Sequence, residues 1–427
     1  MRAMSQERQE PWPWKATWPL IILTLISTFN YLDRSLLGLA MPAIKQEMHV
    51  SDTVLGLISG LAFVVVYSLL GVPVAWVADR YNRRNIIAAG LAVWSLMTAF
   101  TGFVSNIWQL AMARFIMGAG ESCGAAPSNS MLADYFPAGR RPLALAFYGL
   151  APTLSFALFF PLAGWITEHH GWRKMFIAAG LPGVAIAILF LLTVREPRRT
   201  AGPSGKSFKP SASIMQDLKA LFANRCFVWM FAGVTFMGAN VWAAGAWTPT
   251  FFARVHNMGM AEASAVIGPS RGILGAIGVL AGGFIVDRLR RDRLSWRITI
   301  PALACAAVGP AEALFLLGDN KTIWVAGFAA ASFFTLIHQG PIYAAVVNVV
   351  NSRRRALAIS VILLGAGLIG NIVGPTAVGI LNDALHPALG DHAIRYSMLV
   401  IAFTPIVAAL CFYRAAAFYE DALAQNE

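Results

Sequence analysis

The stretch Asn30-Tyr31-Leu32-Asp33-Arg34-Ser35 sits inside the first long apolar segment, which runs from about Trp18 to Met41. An acid or a base at membrane depth costs about 2.5–3.5 kcal/mol at a helix centre, so residues kept against that cost default to a functional role. Asp33 and Arg34 are therefore read as half of a polar site in the middle of a membrane transporter.

The composition points the same way. Of the 427 residues 57% are hydrophobic and only 13% charged, with a mean hydropathy of +0.62; an average soluble domain is ~25% charged. The apolar residues run almost unbroken for about twenty positions at a time, where a soluble enzyme would show amphipathic periods. The formal charge of +12 raises the question of nucleic acid. The basic residues, however, fall in short clusters between apolar segments, as topology determinants do, so no nucleic-acid partner is expected. Cys123, Cys226, Cys305 and Cys411 all lie in apolar segments without a CxxC spacing, which argues against a disulfide framework or a zinc site. The polar, Trp- and Pro-rich start, Met1 to Lys15, does not read as a cleavable signal peptide, because the apolar run after it is too long and lacks a small-residue cleavage site.

Twelve spans are predicted, at about 17–42, 53–78, 86–105, 107–133, 142–167, 173–194, 226–252, 262–286, 297–318, 321–350, 356–382 and 394–418. About 20 residues cross the ~30 Å hydrocarbon core, and longer spans must tilt, bend or protrude. With the N-terminus inside, 24 of the 33 Lys and Arg fall in inner segments. Six fall in outer loops (Lys45, Arg173, Lys174, Arg254, Lys321 and Arg395), and Arg34, Arg114 and Arg271 fall inside spans. That bias puts both termini in the cytoplasm, in a multi-pass protein expected in the cell inner (cytoplasmic) membrane.

One long polar stretch, 195–224, is rich in Pro, Gly, Ser and Lys. It reads as a flexible linker with a short interfacial helix near Ile214–Phe222. The chain divides accordingly into an N-terminal six-helix bundle (1–194), a cytoplasmic linker (195–224) and a C-terminal six-helix bundle (225–427). The halves echo each other. Asp79-Arg80 with Arg83-Arg84 follows the second span, and Asp287-Arg288 with Arg290-Arg291 follows the eighth. Gly139-Arg140-Arg141 opens the fifth span, and Ser352-Arg353-Arg354-Arg355 opens the eleventh. Pro161 with Gly164 in the fifth answers Pro375 with Gly379 in the eleventh. Three matches in register argue for a duplication, and two six-span halves around a central site make a transporter plan.

The loop after the second span, Ala75-Trp76-Val77-Ala78-Asp79-Arg80-Tyr81-Asn82-Arg83-Arg84, resembles the Gly-x-x-x-Asp-Arg-x-Gly-Arg-Arg signature of the major facilitator superfamily. Both glycines are replaced, by Ala75 and Asn82, although Asn tolerates a left-handed turn. The echo Gly283-Phe284-Ile285-Val286-Asp287-Arg288 keeps the first glycine. The resemblance implies an all-α integral membrane fold of two pseudo-symmetric bundles. It also implies an inner gate formed by Asp79, Arg80, Arg84, Arg141, Asp287, Arg288 and Arg354, with Asp79 against the inner end of the eleventh span.

Within that superfamily the chain is most similar to the Spinster family of lysolipid and sphingolipid transporters, and looks like a bacterial homologue. The likeness rests on Asn30-Tyr31-Leu32-Asp33-Arg34 and on Arg114-Phe115-Ile116-Met117-Gly118-Ala119-Gly120-Glu121. Pro127, Asp134-Tyr135-Phe136 and Arg140-Arg141 continue it. The anion–cation symporters share a similar Asp-Arg in the first span, and the Gly-x-Gly-Glu of the fourth favours Spinster.

Asp33 and Arg34, adjacent on a helix, project about 100° apart, so one can face a cavity while the other turns to a neighbouring helix. Arg114 and Glu121 are two turns apart on one face. These four and Arg271 fall at similar depth, and each alone is costly there. A proton-coupled relay is the functional reading. Asp33 or Glu121 would switch between a dry setting and one beside an arginine, taking up a proton on one side and releasing it on the other. Arg34, Arg114 and Arg271 would offer forked donors to a phosphate or carboxylate. The alternative is a set of static ion pairs that hold helices together. Asp33 is the preferred titrating group, with Arg34 as its partner, and which of the two faces the substrate stays open.

Further cavity candidates are Asn240 and His338, with Asn348 and Asn371, all of which could equally make helix-to-helix hydrogen bonds. Tyr67, Tyr148, Phe147, Trp242 and Tyr343 are candidates for lining an acyl-chain path through the substrate site. Glu312 reads as an interfacial residue near the outer end of the ninth span, and His169-His170 as a poor metal site without partners. The leading expectation is a proton-coupled secondary transporter of an amphipathic anionic lipid, a monomer in the bilayer with no cofactor beyond the coupling proton. The second is a proton-coupled transporter of a small organic anion such as a sugar acid. A membrane enzyme is disfavoured by the absence of a nucleophile–base pair, an HExxH or a phosphate-binding loop, and an ATP-driven pump by the absence of a nucleotide-binding motif.

Overall fold

A computed structural model describes residues 12–137, 139–199, 214–288, 294–351 and 354–424. Every regular element among them is helical. In hydrocarbon a backbone has no water to bond, so each apolar run closes its own hydrogen bonds as a helix.

The first three spans are Trp14–Met48, Asp52–Ala78 and Arg83–Thr101. The fourth is the pair Ile107–Glu121 and Ala125–Tyr135, followed by Arg141–His170 and Trp172–Thr193 as fifth and sixth. The seventh to tenth are Arg225–His256, Met260–Asp287, Trp296–Leu317 and Lys321–Asn348. The eleventh joins Arg355–Leu364, Gly365–Ile369 and Gly370–Leu389, and the twelfth joins Ala393–Ala402 and Thr404–Ala417. A short helix, Ile214–Ala223, precedes the seventh span at the place expected of the linker helix. Arg290, Arg291, Ser352 and Arg353 of the repeated motifs lie outside the described residues.

Side-chain caps start several spans, which keeps their first N–H groups satisfied. Ser51, Asn106, Asn224 and Asn320 each accept from a backbone N–H two or three residues on. Asn82 does the same for the third span, with φ −70° and ψ 109°. The left-handed turn that Asn tolerates is not used here. An extended Asn that caps the next helix fills the place of the signature glycine.

The halves touch through the second and eleventh spans, the fifth and eighth, and the first and seventh. Among the described residues the contact is concentrated toward one end of the bundle, opposite the linker and here called the far end. Gly60 abuts the carbonyl of Asn371, and Gly164 abuts Ser264; a Cβ at either position would overlap its neighbour. The repeated Pro-Gly pairs lie in these contacts: Pro161 packs on Gly268, Pro375 on Gly56, and Gly379 on Asp52. Toward the linker end the packing thins, and among the described residues 141–148 and 275–287 make no substantial contact. Among the described residues the halves are thus closed at the far end and parted at the linker end.

Among the described residues three π-helical turns interrupt the spans, at Ser155–Phe159, Ser270–Leu274 and Gly365–Ile369. The first and third occupy matching places in the fifth and eleventh spans, a further trace of the duplication. Such turns gather at functional sites, and the second carries Arg271.

Candidate functional site

In the first half the helical 100° offset separates Asp33 from Arg34 as the geometry requires. Arg34 turns to the fourth span, where its Nε meets Glu121 Oε2 at 2.8 Å, with side-chain exposures of 15% and 0%. Its guanidinium also lies 4.6 Å from the Tyr67 ring centroid and 5.1 Å from that of Phe63. Tyr31, one helical turn back, is 37% exposed yet lies near Tyr67, Tyr148 and, from the second half, Tyr343. An exposed ring amid residues of both halves faces a cavity between them. Arg34 stands at the wall of that cavity.

Asp33 turns the other way and is 2% exposed. Thr98 of the third span and Arg114 lie beside it, and Arg114 Nη1 reaches only its backbone oxygen, at 3.4 Å. Its Oδ1 has no hydrogen-bond partner, and neither has Arg114 Nε. Arg114 and Glu121, two turns apart on one helix, are not joined to each other. Glu121 pairs across spans with Arg34, which leaves Asp33 as a buried carboxylate without an ion pair within 4 Å among the described residues.

The second half supplies a separate cluster. Asn240 Nδ2 donates to Glu312 Oε2 at 2.8 Å, and Arg271 Nη2 donates to Thr248 Oγ1 at 2.8 Å, with its guanidinium 5.8 Å from the Phe328 ring. Glu312, expected at the interface, is 9% exposed and faces the bundle. Its signal in the sequence is a lone acid inside the apolar helix Trp296–Leu317, five residues from the helix end. His338, a cavity candidate that could equally bond between helices, is 6% exposed. Its ring stacks on Phe412 of the twelfth span at 5.9 Å and its Nδ1 lies 2.8 Å from the Thr335 carbonyl, which is a packing contact between helices.

A charged cluster that the sequence reading did not single out lies at the far end. Asp52, at the start of the second span, takes Arg254 on both oxygens, at 2.6 and 2.9 Å, and Lys45 at 2.8 Å. Asp383 of the eleventh span accepts from the backbone N–H of Asp52 at 3.0 Å and of Thr53 at 2.8 Å, and from the Thr53 hydroxyl. Arg254 and Asp383 belong to the second half, so this network ties the halves together.

Among the described residues, the side chains expected at the inner gate make their contacts at the linker end within their own half. Asp79 accepts on its backbone oxygen from Arg199, Arg80 lies over Trp76, and Arg84 bonds Glu196 through its N–H. Arg141 donates to the Phe136 carbonyl at 2.9 Å. In the second half Arg288 lies over Phe284 and Arg354 pairs with Asp217 at 2.7 Å. The expected contact of Asp79 with the eleventh span is not made in this conformation, because the halves are parted there. The strongest centre at this end is Arg83, absent from the expected gate. It is 3% exposed and bonds Asp134, Glu196 and Ser130 at 2.6–2.8 Å, stapling the third, fourth and sixth spans.

Comparison with known proteins places this geometry. The profile of the Major Facilitator Superfamily matches residues 23–317. An "MFS-type efflux pump" of Mycolicibacterium smegmatis is 30% identical over 404 residues, 93% of this chain and 92% of that protein. "Protein spinster homolog 3" of Danio rerio is 25% identical over 94% of this chain and 84% of its own length. The "probable galactarate/D-glucarate transporter GarP" of Escherichia coli K12 is 24% identical over 92% and 93%. Among solved structures, a bacterial homologue of the human lysosomal transporter Spinster, inward-facing and unoccupied, aligns with a TM-score of 0.83 at 26% identity, over 96% of this chain and 98% of that one.

Proposed function

Because the chain belongs to the major facilitator superfamily, a family of transporters, we propose that it moves an amphipathic anionic lipid, such as a lysophospholipid or sphingolipid, by proton-coupled alternating access. The observation that carries the substrate reading is Arg34. It stands at the wall of the cavity between the halves, backed by Glu121 and flanked by Tyr31, Phe63 and Tyr67. A guanidinium there offers a forked donor to a phosphate or carboxylate, and the aromatic rings offer apolar surface to the adjoining chain. The similarity to Spinster proteins supports the same class.

The proton reading rests on Asp33, a buried carboxylate with an unpartnered oxygen and no ion pair. An unpaired charge there is costly, so the group favours a proton until the cavity rearranges. Arg34 and Glu121 couple the two events: an anion on Arg34 competes with Glu121 for its donors, and the freed Glu121 raises the field at Asp33. Arg114 stands by Asp33 to receive its charge once the proton leaves. With both termini in the cytoplasm the far end is the outer side, and this conformation faces inward. The protein then acts as a monomer in the cell inner membrane, and its linker-end motifs, Asp79 to Arg84 and Asp287-Arg288, meet in the opposite state.

The second reading, a small organic anion such as a sugar acid, is favoured by the similarity to GarP. One experiment separates the two. Purified protein is screened by thermal shift with lysophospholipids, sphingolipids, galactarate and glucarate. Stabilisation by the lipids that is lost in Arg34→Ala supports the first reading; stabilisation by the sugar acids alone overturns it. Asp33→Asn in proteoliposomes is expected to abolish pH-driven uptake, and full uptake would remove Asp33 from the proton path.

A further inference from the structure

Glu312 has no place in the relay just described, yet its surroundings parallel those of Asp33. Both are carboxylates buried between an inner span and a supporting span. Asp33 sits on the first span with Thr98 of the third beside it, and Glu312 sits on the ninth with Asn240 of the seventh bonded to it at 2.8 Å. Under the duplication the first and third spans correspond to the seventh and ninth, so acid and neutral partner have exchanged helices across equivalent places.

Neither acid has a cation within 4 Å among the described residues, in contrast to Glu121. Among the described residues the charged group beside Glu312 is Arg271, whose guanidinium is bonded instead to Thr248 at 2.8 Å. The other spans packed near Glu312 turn apolar groups to the ninth, Phe328 against Phe315 from the tenth and Ile406 against Gly309 from the twelfth. His256 stands apart with Phe251 and Trp324, and its charged neighbours are Arg395 and Asp319.

We propose that Glu312 is a second proton-binding site, in the second half, which holds its proton while Arg271 is engaged with Thr248 or an anion and yields it when Arg271 turns to pair with the carboxylate. A single neutral amide does not offset the burial of a full charge, whereas a proton on Glu312 leaves the bond from Asn240 intact, since Oε2 still accepts it. Arg271 lies on the π-helical turn Ser270–Leu274, a local irregularity of the kind that accompanies side chains with a task. Anion binding at Arg271 and proton binding at Glu312 would then favour each other, a linkage that is reciprocal by thermodynamic necessity. This rests on the proton-coupled reading above and extends it to a second carrier.

The test needs no transported substrate. Full-length protein in lipid nanodiscs is titrated with pH while the infrared carbonyl band of protonated carboxylic acids is followed. The wild type is expected to show two buried components. Glu312→Gln, which keeps an oxygen for Asn240, is expected to lose one, and Asp33→Asn the other. Arg271→Gln should shift the titration of the Glu312 component and leave that of Asp33 in place. A Glu312→Gln spectrum superimposable on wild type at every pH overturns the second site, even if Asp33→Asn loses its component and the first carrier stands. Loss of a component in Glu312→Gln but none in Asp33→Asn keeps the second site and overturns Asp33.

Discussion

Replacing Asp52 by Asn is expected to part the far ends of the two halves. Asp52 receives two charge-assisted bonds from Arg254, at 2.6 and 2.9 Å, and only these side-chain bonds of Asp52 cross between the halves. The bond from Lys45 stays within the first half and is retained when the halves separate. A hydrogen bond to a charged group contributes about 1.5–3 kcal/mol. Asn keeps one acceptor oxygen, and Arg254 regains water once the far ends part. The net loss is therefore about 2 kcal/mol, or roughly 30-fold in the equilibrium between far-end-closed and far-end-open states. A state populated at about 1% would rise to about a quarter. Spin labels at Gln46 and Ala388, both exposed and on opposite halves, report that separation by double electron–electron resonance in a background where Cys123, Cys226, Cys305 and Cys411 are serine. Wild type should give one dominant short distance, and Asp52→Asn a second, longer one. Superimposable distributions would refute the reasoning, since the ion pair would then not hold the closed end.

Gly60→Ala places a methyl on the Asn371 carbonyl oxygen, and overpacking of this kind costs about 1–3 kcal/mol. The same label pair should lengthen without any change of charge. Arg83→Gln removes the buried cation from Asp134 and Glu196, whose side chains are 13% and 21% exposed. Removing one partner of a fully buried pair costs about 3–5 kcal/mol, and the exposure of these carboxylates brings the expected loss to about 2–3 kcal/mol. Thermal unfolding in detergent should show a clear drop for Arg83→Gln and a much smaller one for the neighbouring Arg84→Gln; equal drops would contradict the staple.

Membrane residence, the helical class and the two-half plan were legible in the chain alone. Apolar runs long enough to cross a bilayer admit no other backbone solution within one segment, since every N–H and C=O must be bonded internally. The duplicated motifs stood at fixed offsets and could be read directly. The expensive residues of the site were legible for the same reason: Asp33, Arg34, Arg114, Glu121 and Arg271 are conspicuous because each is costly in hydrocarbon. Even the divergence of Asp33 and Arg34 followed from the 100° step of a helix.

Only the tertiary structure decided the partners. Glu121 joins Arg34 of the first span and not Arg114 two turns along its own helix, because pairing depends on how helices rotate against each other. The settings of His338 and Glu312 were hidden for the same reason: one ring stacks on Phe412 and the other side chain bonds Asn240 in the bundle interior, and periodicity along a uniformly apolar helix does not distinguish its faces. The Asp52–Arg254–Asp383 network lay hidden because its members are 331 residues apart at the extreme and each looks like an ordinary helix-end charge. Sequence marks which groups are costly in a membrane; packing alone fixes which neighbour offsets that cost, and therefore which groups, such as Asp33, are left without an ionic partner among the described residues.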